Sequence, residues 1–115
     1  MDMPKASEQD KQYFQSVVPD RPGVEIKPMF GNFGAFVNGN MFAGLFGALV
    51  GVKLDDASRA ELASVEGTGL FGPPERPMGR YTSLPVAWRS TPELAAHWVE
   101  LACSQIGLLP PKATK

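Results

Sequence analysis

The sequence predicts a two-layer α+β sandwich in which helices cover one side of a mainly antiparallel sheet, in the order α-β-β-β-β-α-β-α. Three observations predict it. Apolar residues recur with helical spacing near both ends of the chain. They alternate with period two between Val24 and Leu54. Two turn signals, Asn38-Gly39 and Gly47-Ala48, cut that alternating stretch into strands. A length of 115 residues suits one domain with one core. The expectation is a single domain over 1–115, with its core at about 7–107 and a frayed tail over 108–115.

The first helix runs from about Ser7 to Val18. Ser7 and Asp10 have the spacing of a capping box, and Tyr13, Phe14, Val17 and Val18 form the apolar stripe. Pro19 and Pro22 end it. In the strands that follow, Asn38-Gly39 is the signature of a type I′ hairpin, which needs positive φ at both central residues. Gly47-Ala48 suits a type II′ turn. Two-residue loops at both places set Phe36 opposite Met41 and Leu45 opposite Val50.

That register, propagated along the strands, puts Gly34, Phe36, Met41, Ala43, Leu45, Val50, Val52 and Leu54 on one face, which must be buried under helices. The other face carries Phe33, Ala35, Val37, Asn40, Phe42, Gly44, Phe46, Leu49, Gly51 and Lys53. It is too apolar to be freely solvated, so another segment or another molecule must cover it.

Asp55-Asp56, then Ser58 with Glu61, mark the start of a short second helix that continues to Glu66. Gly67 to Pro77 reads as a loop and Met78 to Leu84 as one more strand, closed by Pro85. Thr91 caps the last helix with Pro92 at its first position; Leu94, Trp98, Leu101, Ala102 and Ile106 share a face, and Gly107 ends it.

Composition narrows the function classes. Hydrophobic residues make up 43% and charged residues 20%, an ordinary globular balance. Eleven basic residues against twelve acidic ones give a net charge of -1 with the signs interspersed, so a direct grip on nucleic acid is not advertised. Cys103 is the sole cysteine, which rules out an intramolecular disulfide and a multi-thiolate metal site. The opening residues lack the basic-then-apolar order of a secretory signal, and cytoplasm is the expected address. The 25 uncharged residues between Lys27 and Lys53 could span a bilayer by length alone, but six glycines and three asparagines interrupt them, and a membrane span is rejected.

Candidate sites are few. Gly67-Thr68-Gly69-Leu70-Phe71-Gly72 matches G-x-G-x-x-G, yet a helix precedes it and Pro73-Pro74 follows. The strand-to-helix setting that holds a pyrophosphate is missing, and the segment reads as a loop. His97, the sole histidine, reads as a partly exposed helix residue, and Cys103 as a small buried thiol. No serine sits in G-x-S-x-G. No catalytic, metal or cofactor set is expected. Lys53, Arg76 and Arg80, with Arg89 beyond, could gather as an anion contact; solvated pairing with Glu75 or Asp55 is the plainer reading. Phe33, Phe42 and Phe46, with Lys53, are the candidate partner surface on the second face.

The run Met29-Phe30-Gly31-Asn32-Phe33-Gly34, then Val37-Asn38-Gly39-Asn40-Met41-Phe42-Ala43, with Lys53 ending the meander, resembles the N-terminal domain of the TfoX/Sxy competence regulators. Arg59, Pro77-Met78, Tyr81 and Pro85 extend the resemblance, which spans roughly Val24 to Ile106. It implies an α+β fold similar to secretion chaperones, a link to bacterial gene regulation and no enzyme activity. The longer regulators carry a second, C-terminal domain, so the competence role itself does not carry over. Two positions depart from the family pattern: Gly51 stands where an aromatic is usual, and Gly47-Ala48 replaces an acidic-glycine turn. The expected function is therefore a non-catalytic regulatory module that binds a protein partner, itself included as a homodimer. The alternative is a small-molecule or anion-binding or enzymatic domain built on Lys53, Arg76 and Arg80.

Overall fold

The fold is taken from a computed structural model describing residues 6–29, 32–71 and 81–109, with backbone only at Met29 and Leu70. The elements follow the expected order: α1 (Glu8–Val17), β1 (Val24–Met29), β2 (Asn32–Val37), β3 (Asn40–Phe46), β4 (Leu49–Lys53), α2 (Asp56–Ala63), β5 (Gly69–Leu70), β6 (Tyr81–Ser83), a 3-10 turn (Val86–Ser90) and α3 (Pro92–Ile106). All neighbouring strands are antiparallel, in the spatial order β1-β2-β3-β4-β6-β5.

Local chemistry sets the boundaries. Ser7 Oγ accepts from the Asp10 N–H and the Asp10 carboxylate accepts from the Ser7 N–H, completing the capping box of α1. Asn38 (φ 52°) and Gly39 (φ 83°) make the β2–β3 turn left-handed at both positions, as type I′ requires. Gly47 (φ 60°) opens the β3–β4 turn, and its N–H donates to the buried Asn32 side chain at 2.8 Å, tying that turn to the start of β2. Asp55 caps α2, accepting from the Ser58 N–H. The helix ends at Ala63, short of Glu66, where the Ser64 hydroxyl bonds the Glu61 carbonyl and Gly67 (φ 97°) soon turns the chain. Two elements are absent from the sequence reading: β5, inside the glycine loop, and the 3-10 turn after Pro85. Of the strand expected over Met78 to Leu84, residues 78–80 lie outside the described residues; Tyr81–Ser83 is strand.

Both expected cross-strand pairs are present: Phe36 faces Met41 and Leu45 faces Val50. Between them, however, Ala35 faces Ala43, which leaves Phe42 as an extra residue on β3. This β-bulge reverses the phase of β2 relative to the rest of the meander. The buried, helix-facing side therefore carries Phe33, Ala35 and Val37 from β2 with Ala43, Leu45, Val50, Val52 and Leu54, and the bulged Phe42 joins them with no exposed surface. Phe36 and Met41, expected in the core, lie half-buried on the opposite face with Gly34.

The core closes with Phe14 and Val17 of α1, Leu62 of α2, Leu84, and Ala95, Val99, Ala102, Cys103 and Ile106 of α3. α3 thus keeps Ala102 and Ile106 of the expected stripe in the core but is rolled so that Ala95 and Val99 join them. Ala95 and Ala102 let its axis lie close to the sheet, which leaves Leu94 exposed and Trp98 and Leu101 half-buried at the flanks.

Candidate functional site

The face of the sheet away from the helices is where the sequence places a partner. Pairing registers set Gly34, Gly44, Gly51, Ser83 and Gly69 side by side across five strands. Absent or small side chains make this row a trough. Phe71, delivered by the chain just after β5, fills its centre: a β-carbon on Gly51 would meet Phe71 ring carbons at 2.4–2.8 Å, and one on Gly44 would meet them at 3.4 Å. Phe71 is 2% exposed, packs edge-on to Phe46 (6.2 Å between centroids) and lies 5.9 Å from Tyr81. Burial pushes the Tyr81 phenol up to about 12, and its hydroxyl donates to the Met41 carbonyl at 3.4 Å.

The expected partner surface is therefore dismantled. Phe33 and Phe42 belong to the helix side, where Phe33 packs on Phe14 (6.4 Å) under the Lys11 ammonium (5.5 Å). Phe46 remains on the second face, half-buried beside Phe71. The cover over that face is supplied by the same chain, from inside the G-x-G-x-x-G segment. Lys53 sits at the end of β4 opposite Tyr81. Arg76 and Arg80 lie outside the described residues, as do Phe30 and Gly31 of the M-F-G motif; Met29 ends β1, and Asn38-Gly39 forms its turn.

A cleft of about 410 Å³ opens between α2 and β6, lined by Asp56, Arg59, Ala60, Ala63, Thr68, Gly69, Tyr81 and Thr82. Arg59 is held by Asp56 at 3.1 Å, and Thr68 donates to the Val65 carbonyl at 2.9 Å. Other polar groups also serve as ties. Arg89 bonds Asp10 at 2.9 Å and stacks over the Tyr13 ring (4.5 Å). Gln105 accepts from the Asp55 N–H and donates to Ser58, both at 2.8 Å. Arg21 bonds Ser104 at 3.2 Å. Burial pushes the Cys103 thiol up, away from the reactive thiolate. His97 is exposed, edge-on to Trp98.

The large hydrophobic side chains that stand in solvent among the described residues all come from the last part of the chain: Val86 (55% exposed) before α3, Leu94 (45%) in its first turn, and Leu108 (86%) and Leu109 (46%) past its end. Leu94, half-buried Leu101 and Leu108 recur every seven residues. The sequence reading missed this row because it assigned Leu94, Trp98 and Leu101 to the core.

The model of the TfoX N-terminal domain matches residues 5–106, most of the chain. The chain belongs to the TfoX N-terminal domain family. Within this TfoX N-terminal domain, the N-G-x-M-F segment forms the β2–β3 turn and the bulge. No curated protein matches the chain.

Proposed function

We propose that this TfoX N-terminal domain is a non-catalytic regulatory module of the bacterial cytoplasm that acts by protein contact, in the manner of the N-terminal domains of competence regulators. The observation that carries this reading is the set of exposed apolar side chains on and flanking α3: Leu94 in its first turn, Val86 in the 3-10 turn before it and Leu108 just past its end. Apolar side chains left in solvent are what a partner's apolar groove engages. The groups best suited to chemistry support it from the other side. Arg89, Arg59 and Arg21 are each bound to neighbours, and Cys103 is buried.

The test is retention of cellular proteins by the wild-type chain and by Val86→Glu, Leu94→Glu and Leu108→Glu, none of which disturbs the core. A defined set of proteins held by the wild type and lost by the variants, at unchanged melting temperature, is the expected result. Equal retention by all four chains would remove the basis of the reading.

A second reading, a small anionic ligand bound in the α2–β6 cleft, is favoured by the cleft's size and by Arg59 on its wall. A thermal-shift screen with nucleotides and anionic metabolites separates the two. Stabilisation lost in Arg59→Ala supports the ligand, and no shift with any compound dismisses it.

A further inference from the structure

β1 is the outermost strand at its end of the sheet, with β2 on one side and no strand on the other among the described residues. Its hydrogen-bonding phase follows from the register. The Asn38 N–H donates to the Gly23 carbonyl at 3.0 Å, one step beyond the Val24–Val37 pair. Backbone groups of Gly23, Glu25 and Lys27 therefore face β2, and those of Val24, Ile26 and Pro28 face outward. Pro28 has no N–H, and the Val24 N–H is taken by the Arg21 carbonyl at 3.1 Å. The outward edge thus offers one central donor and acceptor, both on Ile26, flanked by carbonyls.

From this edge we infer that the chain forms a two-fold dimer by antiparallel pairing of β1 with β1 of a second copy, centred on Ile26. This goes beyond the partner surface on α3. About that axis each Ile26 N–H donates to the other copy's Ile26 carbonyl, so the donor and acceptor the edge offers satisfy one another. The same register sets Glu25 of each copy against Lys27 of the other. Both are exposed (68% and 53%) on the sheet face away from the helices. Moving the axis to Glu25 or Lys27 would oppose like charges, so the charge pattern selects the Ile26 register. On the helix side, half-buried Val24 and Ile26 line a groove of about 300 Å³ with Gln15, Val18, Pro19 and Asp20 at the end of α1. A second copy's Ile26 lands on that apolar floor. Pro28 keeps the pairing short, and a two-fold pairing uses both edges at once, so the assembly closes as a dimer and does not extend into a fibre.

Sedimentation of the full chain over a concentration series tests this. The wild type is expected to self-associate, and Glu25→Lys and Lys27→Glu each to weaken association at least about tenfold by opposing like charges. The double variant Glu25→Lys/Lys27→Glu is expected to recover it. An equimolar mixture of the two single variants should form heterodimers, because each then meets opposite charges on the other; loss of the 3.7 Å Glu25–Lys27 ion pair within one chain cannot produce that result. Circular dichroism checks that these surface variants remain folded. A wild type that stays monomeric, single variants that associate like the wild type, or a double variant that fails to recover would each overturn the inference.

Val86, Leu94 and Leu108 take no part in this pairing. A dimer that binds nothing through α3 defeats the proposed function alone, and a monomer that still binds through α3 defeats the dimer alone.

Discussion

A β-carbon on Gly51 would lie 2.4–2.8 Å from three ring carbons of Phe71, closer than packed atoms approach. Gly51→Ala therefore forces the ring out of its seat, and the expected cost is about 1–3 kcal/mol. Phe71→Ala removes the ring and is expected to cost about 3 kcal/mol, since the side chain is 2% exposed. Combined, the two changes should cost less than their sum, because alanine at 71 leaves room for the methyl at 51. Urea unfolding of the two single variants and the double variant measures the coupling, and strict additivity would contradict the seat described. The pairing also accounts for glycine at position 51: the chain brings an aromatic ring over β4 from beyond β5, and the strand must be bare beneath it.

At the scale of elements, the bulge at Phe42 decides which aromatics are core. It seats Phe42 at 0% exposure, so Phe42→Ala is expected to cost about 3–5 kcal/mol in urea unfolding. Phe46→Ala, half-buried at the strand end, should cost about 1 kcal/mol. Equal losses would show that the two faces had been confused. The hairpins were legible in the sequence because Asn38-Gly39 and Gly47 encode positive φ locally. The capping box was legible for the same reason. The bulge was not, because nothing in Met41-Phe42-Ala43 distinguishes an extra residue from a paired one until β2 is docked. The roll of α3 was legible only in part: Ala102 and Ile106 are core as the sequence predicts, but the larger Leu94 gives way to Ala95, because close approach to the sheet favours a small side chain. Together they move the candidate surface from the sheet to α3 and its flanks, while the order of elements is unaffected.

Over the whole molecule, few polar contacts join the two ends of the chain, and the half-buried Asp10–Arg89 pair, 79 residues apart in sequence, is the shortest ion pair among the described residues. Burial pushes the Asp10 carboxyl up, but the Ser7 N–H, the Arg89 guanidinium and the Ser7 hydroxyl outweigh it and hold the pKa below the ordinary carboxylate value. A depressed folded-state pKa stabilises the fold at any pH above the unfolded value of about 4. That stability disappears as the pH falls through the folded value. Asp10→Asn should therefore lower stability by about 1–2 kcal/mol at pH 7, through loss of the charged hydrogen bond and part of the cap. Its acid limb should be shallower than that of the wild type, and the two stability curves should converge toward low pH. Arg89→Met, which keeps bulk over Tyr13 and removes the charge, should flatten the limb in the same direction. Urea unfolding at a series of pH values reads both effects, and a constant gap between wild type and Asp10→Asn down to the lowest pH would mean that the carboxylate charge contributes nothing to joining α1 to the turn before α3.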